Sequence, residues 1–201
     1  MIGNSLTVNS IGYLETHLSR ANLKSLDLNF YANKLGAEGA ELVAKALKTQ
    51  KNLNELSLDL YFNNITEAGT QAICDSLEEI KGGFKTLYFN LDFNYIKNEG
   101  AKAVGTLLSH LQTLDTLHLG VASKNFGYLG FKYIVNGLTH LSQLKELNFR
   151  CGVNRVGPNG AEITRDLLYK LPSLKTLSLN FYENYIGDEG VVELTKGVAS
   201  L

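Results

Sequence analysis

Six glycines recur in one frame along the chain, at Gly39, Gly69, Gly100, Gly130, Gly160 and Gly190, and this spacing constrains the fold more than any other feature. Glycine makes up only 19 of 201 residues, so six in register are not a matter of chance. An apolar run begins in the same frame at Leu23, Leu53, Phe84, Leu114, Leu144 and Leu174, at intervals of 30, 31, 30, 30 and 30 residues. A period of this length marks an array of one small structural unit, which buries its apolar side only against its neighbours. The chain therefore reads as one domain over 1–201, with six repeats starting near 23, 53, 84, 114, 144 and 174. Residues 1–22, with Ile11, Leu14 and Leu18, read as a degenerate first helix that caps one end.

Within each repeat the pattern is the same. Leu26-x-Leu28-x-Phe30 alternates apolar and polar residues, the period of a strand with one buried face, and Leu56/Leu58/Leu60 through Leu177/Leu179/Phe181 repeat it. Three residues after the last apolar position stands an asparagine: Asn33, Asn63, Asn94, Asn154 and Asn184. There a side-chain amide can satisfy backbone groups that no strand partner reaches. Repeat four departs, with Lys124 in that column and Asn125 one position late. After the recurrent glycine, apolar residues follow helical spacing, as in Leu42, Val43 and Leu47. The glycine falls in the first helical turn, where a missing side chain lets adjacent units pack closely. Thr66 or a glycine (Gly36, Gly127, Gly157, Gly187) opens most of these helices, and Pro158 suits a first helical position.

Leu-x-x-Leu-x-Leu, a following Asn and then a full helix resemble the leucine-rich repeat family over residues 23–201. The Ile-Gly-x-x-Gly helix start and the 30-residue interval are similar to the ribonuclease-inhibitor-like subclass, which includes repeat regions of NOD-like receptors and Ran GTPase-activating proteins. The resemblance implies an α/β fold: a right-handed αβ solenoid, or leucine-rich repeat horseshoe, with a parallel concave sheet and outer helices. Its curvature also follows from two spacings, since parallel strands stack ~4.8 Å apart and helices roughly 8–10 Å apart. The strand carries one extra apolar/polar pair before the Asn, which predicts a wider sheet than the family's. The array stops at Leu201 with no polar cap. Either it continues beyond, or that end meets a partner or a second copy.

Polar positions within the strands form four columns across the concave face, and these vary where the core columns do not. Gly120, Ala122 and Gly152 are small and adjacent, flanked by Tyr88, Asp92, His118 and Arg150, which predicts a shallow notch with anchors of the kinds favoured in interfaces. Tyr31, Tyr61 and Asp59 form a second candidate patch, and Tyr182 continues the fourth column at the far end. The expected function is a non-catalytic, protein-binding scaffold whose partner lies on the sheet. The alternatives are GTPase activation, implied by the Ran GTPase-activating resemblance but without that family's acidic tail, and a structural module that self-associates end to end.

Chemistry is sparse. Lys and Arg number 19 against 20 Asp and Glu, a net charge of −1, so no nucleic-acid partner is expected. No apolar run approaches the roughly 18 residues of a membrane span. The N-terminus lacks the pattern of a secretory signal, and two cysteines, Cys74 and Cys151, fit a reducing compartment, so a cytoplasmic location is expected. His110 and His140 share one slot near helix C-termini, where the helix dipole favours them, and the interhelical distance is wide for a shared metal. Cys151 falls in a core column, and Cys74 has no recurring His or Asp partner. Asp59 and Asp92 approach one another on adjacent strands, but a sheet open to water would leave both carboxyls ordinary. No phosphate-cradling motif occurs, so neither enzyme activity nor a cofactor or metal is expected.

Overall fold

A computed structural model describes residues 1, 3–80, 83–124 and 126–201; Asn125 lies outside them. The described residues begin with α1 (Val8–Leu18), β1 (Ser25–Asn29), α2 (Gly36–Lys48), β2 (Glu55–Asp59), α3 (Glu67–Glu78), β3 (Thr86–Asn90) and α4 (Lys97–His110). They continue with β4 (Thr116–Gly120), α5 (Gly127–Leu138), β5 (Glu146–Arg150), α6 (Gly157–Leu168), β6 (Thr176–Asn180) and α7 (Gly187–Val198). The six strands form one open, parallel sheet in sequence order, and each helix packs on the next. The molecule is an α/β solenoid, as the period requires.

Register is uniform. Leu26, Leu56, Leu87, Leu117, Leu147 and Leu177 lie side by side, and the second apolar column does likewise. These columns meet the helices in one continuous core that runs the length of the stack. The strands end after five residues, so the extra apolar/polar pair falls just past them. The parallel backbone ladder nevertheless continues through it: Phe30 N–H donates to Asp59 O (2.8 Å) and Ala32 N–H to Tyr61 O (2.9 Å), and later repeats follow suit.

The recurrent glycine has two neighbours to accommodate. At Gly39, Gly100, Gly130, Gly160 and Gly190, an added Cβ would first meet the apolar residue four positions earlier in the same unit. At Gly69 it would first meet Ala40 Cβ of the preceding helix, at 2.9 Å. Room within the unit is thus the commoner reason for the column, with helix-to-helix approach second. Two other glycines, Gly105 and Gly137, bring α4 and α5 so close that a methyl on either would strike the opposing backbone carbonyl. Thr66, expected to cap α3, makes no side-chain bond to the helix start.

The asparagine column joins the units where the strands end. All five asparagines are at most 2% exposed. Asn63 Oδ1 accepts the backbone N–H of Asn33 (3.1 Å) and of Leu35 (3.3 Å), while its Nδ2 donates to Phe30 O (2.8 Å) and Tyr61 O (3.0 Å). Asn94 does the same for Asn63, Ile65 and Leu60, and Asn184 for Asn154, Val156 and Cys151. Before the first repeat, the N-terminal segment supplies the donors that a turn supplies elsewhere. Asn4 and Leu6 donate their N–H groups to Asn33 Oδ1 at 3.0 and 3.2 Å, and α1 buries Ile11 in the core.

Repeat four breaks the column. Lys124 is exposed, and Ser123 is buried instead, its hydroxyl donating to Asn94 O at 2.9 Å. Asn154 Nδ2 still donates to Val121 O and Cys151 O, but its Oδ1, which repeat four should fill, has no partner among the described residues. Loss of a buried partner leaves each stranded group with a penalty of about 1–3 kcal/mol. Asn63→Ala strands the N–H groups of Asn33 and Leu35, since Phe30 O and Tyr61 O keep Asn33 Nδ2 and the Ala32 N–H, whereas Asn154→Ala strands only Val121 O. In denaturant titration, Asn63→Ala should lower unfolding free energy by at least about 3 kcal/mol and Asn154→Ala by roughly half as much.

Candidate functional site

The sheet register sets the polar columns side by side as the sequence predicts. Asp27, Ser57, Tyr88, His118, Asn148 and Ser178 form one row, and Asn29, Asp59, Asn90, Gly120, Arg150 and Asn180 the next. The fourth column, which includes Tyr61, Asp92 and Tyr182, lies just beyond the strands.

Tyr88, Asp92, His118 and Arg150 come together around Gly120. Arg150 reaches past β4 to β3's end, where its Nε donates to Asp92 Oδ2 at 3.0 Å. Its guanidinium carbon lies 5.9 Å from the Tyr88 ring centre, within cation–π range, and the Tyr88 and His118 rings are 6.0 Å apart. His118 Nε2 pairs with Glu146 Oε1 at 3.0 Å. The notch expected at Gly120 is filled from within. A Cβ there would sit 2.6 Å from Arg150 Nη2 and 2.8 Å from Asp92 Oδ1. Gly120 is small because the arginine side chain passes over it, and the surface offered is the face of that arginine together with Tyr88 and His118.

Asp92 corrects a second expectation. It is not open to water but 5% exposed, and both its oxygens are engaged: Oδ1 accepts Ala122 N–H at 2.7 Å, and Oδ2 accepts from Arg150. Burial raises its carboxyl above the ordinary aspartate range, against the opposing pull of the Ala122 N–H and the Arg150 charge. With both oxygens occupied by fixed donors, Asp92 holds Arg150 in place. Asn90 bridges Asp92 to Asp59, donating Nδ2 to Asp59 Oδ1 (3.0 Å) while its Oδ1 accepts Asp92 N–H, and the Asp59 charge adds a smaller upward push on Asp92.

The second patch is larger than the sequence suggests. Tyr31 and Tyr61 stack almost flat, 4.6 Å apart at an interplanar angle of 4°. Phe93 meets Tyr61 at 5.2 Å and 54°, and Phe62 meets it at 6.5 Å. Asp59 Oδ1 also accepts Tyr61 N–H at 3.0 Å, so the carboxylate fixes the start of the tyrosine's turn. Burial raises the Tyr61 hydroxyl pKa, with smaller effects from Tyr31 and Asp92. Phe62 and Phe93 escaped sequence reasoning because they fall in the turn, one position after the fourth column. The signal available was an aromatic in two consecutive repeats where Ala32, Val153 and Glu183 stand elsewhere. Tyr182 stands away from both groups, two-thirds exposed, with its hydroxyl donating to Glu183 Oε1 at 2.8 Å.

The remaining reactive side chains do not converge. Among the described residues, no three His, Cys, Asp or Glu side chains gather in a metal-binding group. His110 lies 3.4 Å from Glu78, and His140 contacts its own helix at Asn136 O. Cys74 and Cys151 are buried, and burial pushes both thiols well above their usual pKa, away from the thiolate a nucleophile requires. No helix of the described residues is long and apolar enough to cross a membrane.

The Asp92–Arg150 pair has a definite pH signature. Because Asp92 binds its proton at higher pH when folded than when unfolded, its contribution to unfolding free energy grows as pH falls through the raised value. It is complete below the ordinary aspartate value. Asp92→Asn removes this dependence, so on mild acidification the wild type should gain stability relative to that variant. Arg150→Met should lower stability by about 2 kcal/mol, somewhat under the ~3–5 kcal/mol of a fully buried pair because the arginine is partly solvated. It should also raise the Asp92 carboxyl further, as read from its carbon chemical shift during titration. A scan against protein-family models and a search of curated proteins returned no match to this chain.

Proposed function

We propose that this protein is a leucine-rich repeat scaffold of the ribonuclease-inhibitor-like kind, which binds a protein partner on its sheet face and catalyses no reaction. One observation carries the reading: core columns hold the same residue class from repeat to repeat, while the columns beside them on the face change at almost every step. A backbone fixed in register beneath dissimilar side chains is a recognition surface in physical terms. Its side chains are placed before the partner arrives, which lowers the ordering cost of association. Tyr88, His118 and the anchored Arg150 supply the central contacts, and tyrosine and arginine are among the residues that dominate binding energy. Two buried free thiols and the absence of disulfides among the described residues support a cytoplasmic setting.

A second reading, end-to-end association, rests on the last repeat. Among the described residues β6 pairs with β5 alone, and Val191, Val192 and Val198 of α7 are about half exposed. Sedimentation across a concentration series should then show assembly that Val192→Lys abolishes, and a strict monomer at every concentration would remove this reading.

The main reading is tested by affinity capture with three forms of the chain. Tyr88→Ala combined with His118→Ala alters the face, and Lys132→Glu alters the exposed side of α5. The face variant should weaken the captured partner's binding by about tenfold or more, and the helix variant should leave it unchanged. The opposite ranking would move the binding surface to the helices.

A further inference from the structure

The two ends of the sheet face differ in charge. Across β1, β2, β3 and the positions just beyond them, the outward columns carry Asp27, Glu55, Asp59 and Asp92 and no lysine or arginine. Asp92 is committed to Arg150, but no ion pair among the described residues engages Asp27, Glu55 or Asp59. Across β4, β5 and β6 the balance differs, with Glu146 held by His118 and Arg150 present. The carboxylates without an ion-pair partner among the described residues therefore lie on one half of the face.

The same half carries the aromatic group. Phe62 and Phe93 are 51% and 44% exposed, and both adopt left-handed backbone conformations, with φ of +51° and +57°. A bulky side chain in that region is strained, and glycine or asparagine would fill the turn more easily. Both rings meet Tyr61 on one side, yet about half of each phenylalanine faces water. The same turn position is left-handed at Ala32, Val153 and Glu183 as well, so what sets these two units apart is their exposed aromatic surface. Beside the rings runs a groove of about 210 Å³ lined by Phe62, Phe93, Tyr95 and Lys124 among others.

We infer that this acidic, aromatic half of the face receives a basic segment of the protein partner, with an arginine or lysine held against Tyr61 and Phe93 beside Asp59. The proposal rests on the scaffold reading above and names the partner chemistry for it. Ring faces attract a cation through their quadrupole, and Phe93, tilted 54° against Tyr61, is the exposed ring of this pair. Asp59, Asp27 and Glu55 supply the long-range field that brings the segment in and sets its orientation. Phe62 and Tyr95 flank the groove that takes an apolar residue next to the basic one. Lys124 at the groove's wall marks where the acidic zone ends and orients the segment toward β1.

Three synthetic peptides serve as probes: one alternating arginine and glycine, one glutamate and glycine, and one serine and glycine. The arginine peptide should bind, shifting backbone amide resonances of β1, β2 and the Phe93 turn, and the other two should not. Asp59→Asn should weaken it about tenfold. Phe62→Asn with Phe93→Asn should weaken it at least as much while melting within about 4 °C of the wild type, since asparagine accepts the left-handed turn. Added salt should reduce binding without abolishing it, because ring contacts are not screened as charges are. Equal binding by the variants, equal binding of the serine peptide, shifts confined to the helices, or no binding would each overturn the proposal. If the arginine peptide fails while partner capture still depends on Tyr88 and His118, this inference falls and the scaffold reading stands. If both fail, the sheet face is not the binding surface.

Discussion

At three junctions the turn after a strand leaves two backbone N–H groups pointing away from the sheet, and one asparagine from the next repeat, Asn63, Asn94 or Asn184, accepts both. Everything else in the stack depends on this linkage. The helices bury apolar surface without caring about exact position, since packing alone tolerates small slips. The amide does not, because its oxygen and nitrogen must meet donors and acceptors on two units at once. Register across the sheet is therefore set at its edge, and the N-terminal segment joins the scheme by offering Asn4 and Leu6 in place of a preceding turn.

With register fixed from behind and from the edge, the first two outward columns are free of structural duty, whereas in the third Asn29, Asp59, Asn90 and Asn180 each accept the N–H two residues on. That freedom explains how neighbouring repeats can carry Asp27, Ser57 and Tyr88 in equivalent places without disturbing the strands beneath. It also explains where the freedom stops. Asp92 stands in an outward column, yet it is buried and doubly hydrogen-bonded because Arg150 folds over it. A single long side chain has converted part of the surface into interior.

The strand, glycine and asparagine columns were legible in the sequence because each repeats at a fixed interval and has a local physical cause. The Asp92–Arg150 pair was not, since the partners are 58 residues apart and nothing periodic links them. From the sequence, Gly120 reads as empty space, and only the rotamer of Arg150 shows otherwise. Phe62 and Phe93 were missed for another reason: the alternation that identifies outward residues ends one position before them, and a turn in left-handed conformation points its side chains where no strand rule applies. The aromatic stack of Tyr31 and Tyr61, by contrast, follows directly from their place in one column.

Arg150 also has a mechanical meaning. The contact between α5 and α6 is the sparsest between neighbouring helices, and at the same junction Asn154 Oδ1 lacks the donors that repeat four would supply. Repeats four and five are thus joined less firmly than the others. In a one-dimensional array such a seam is where cooperativity divides and where bending concentrates. Arg150 belongs to repeat five and grips repeat three, skipping the unit between. It acts as a tie bar across the loose joint, holding repeat five to repeat three through one side chain.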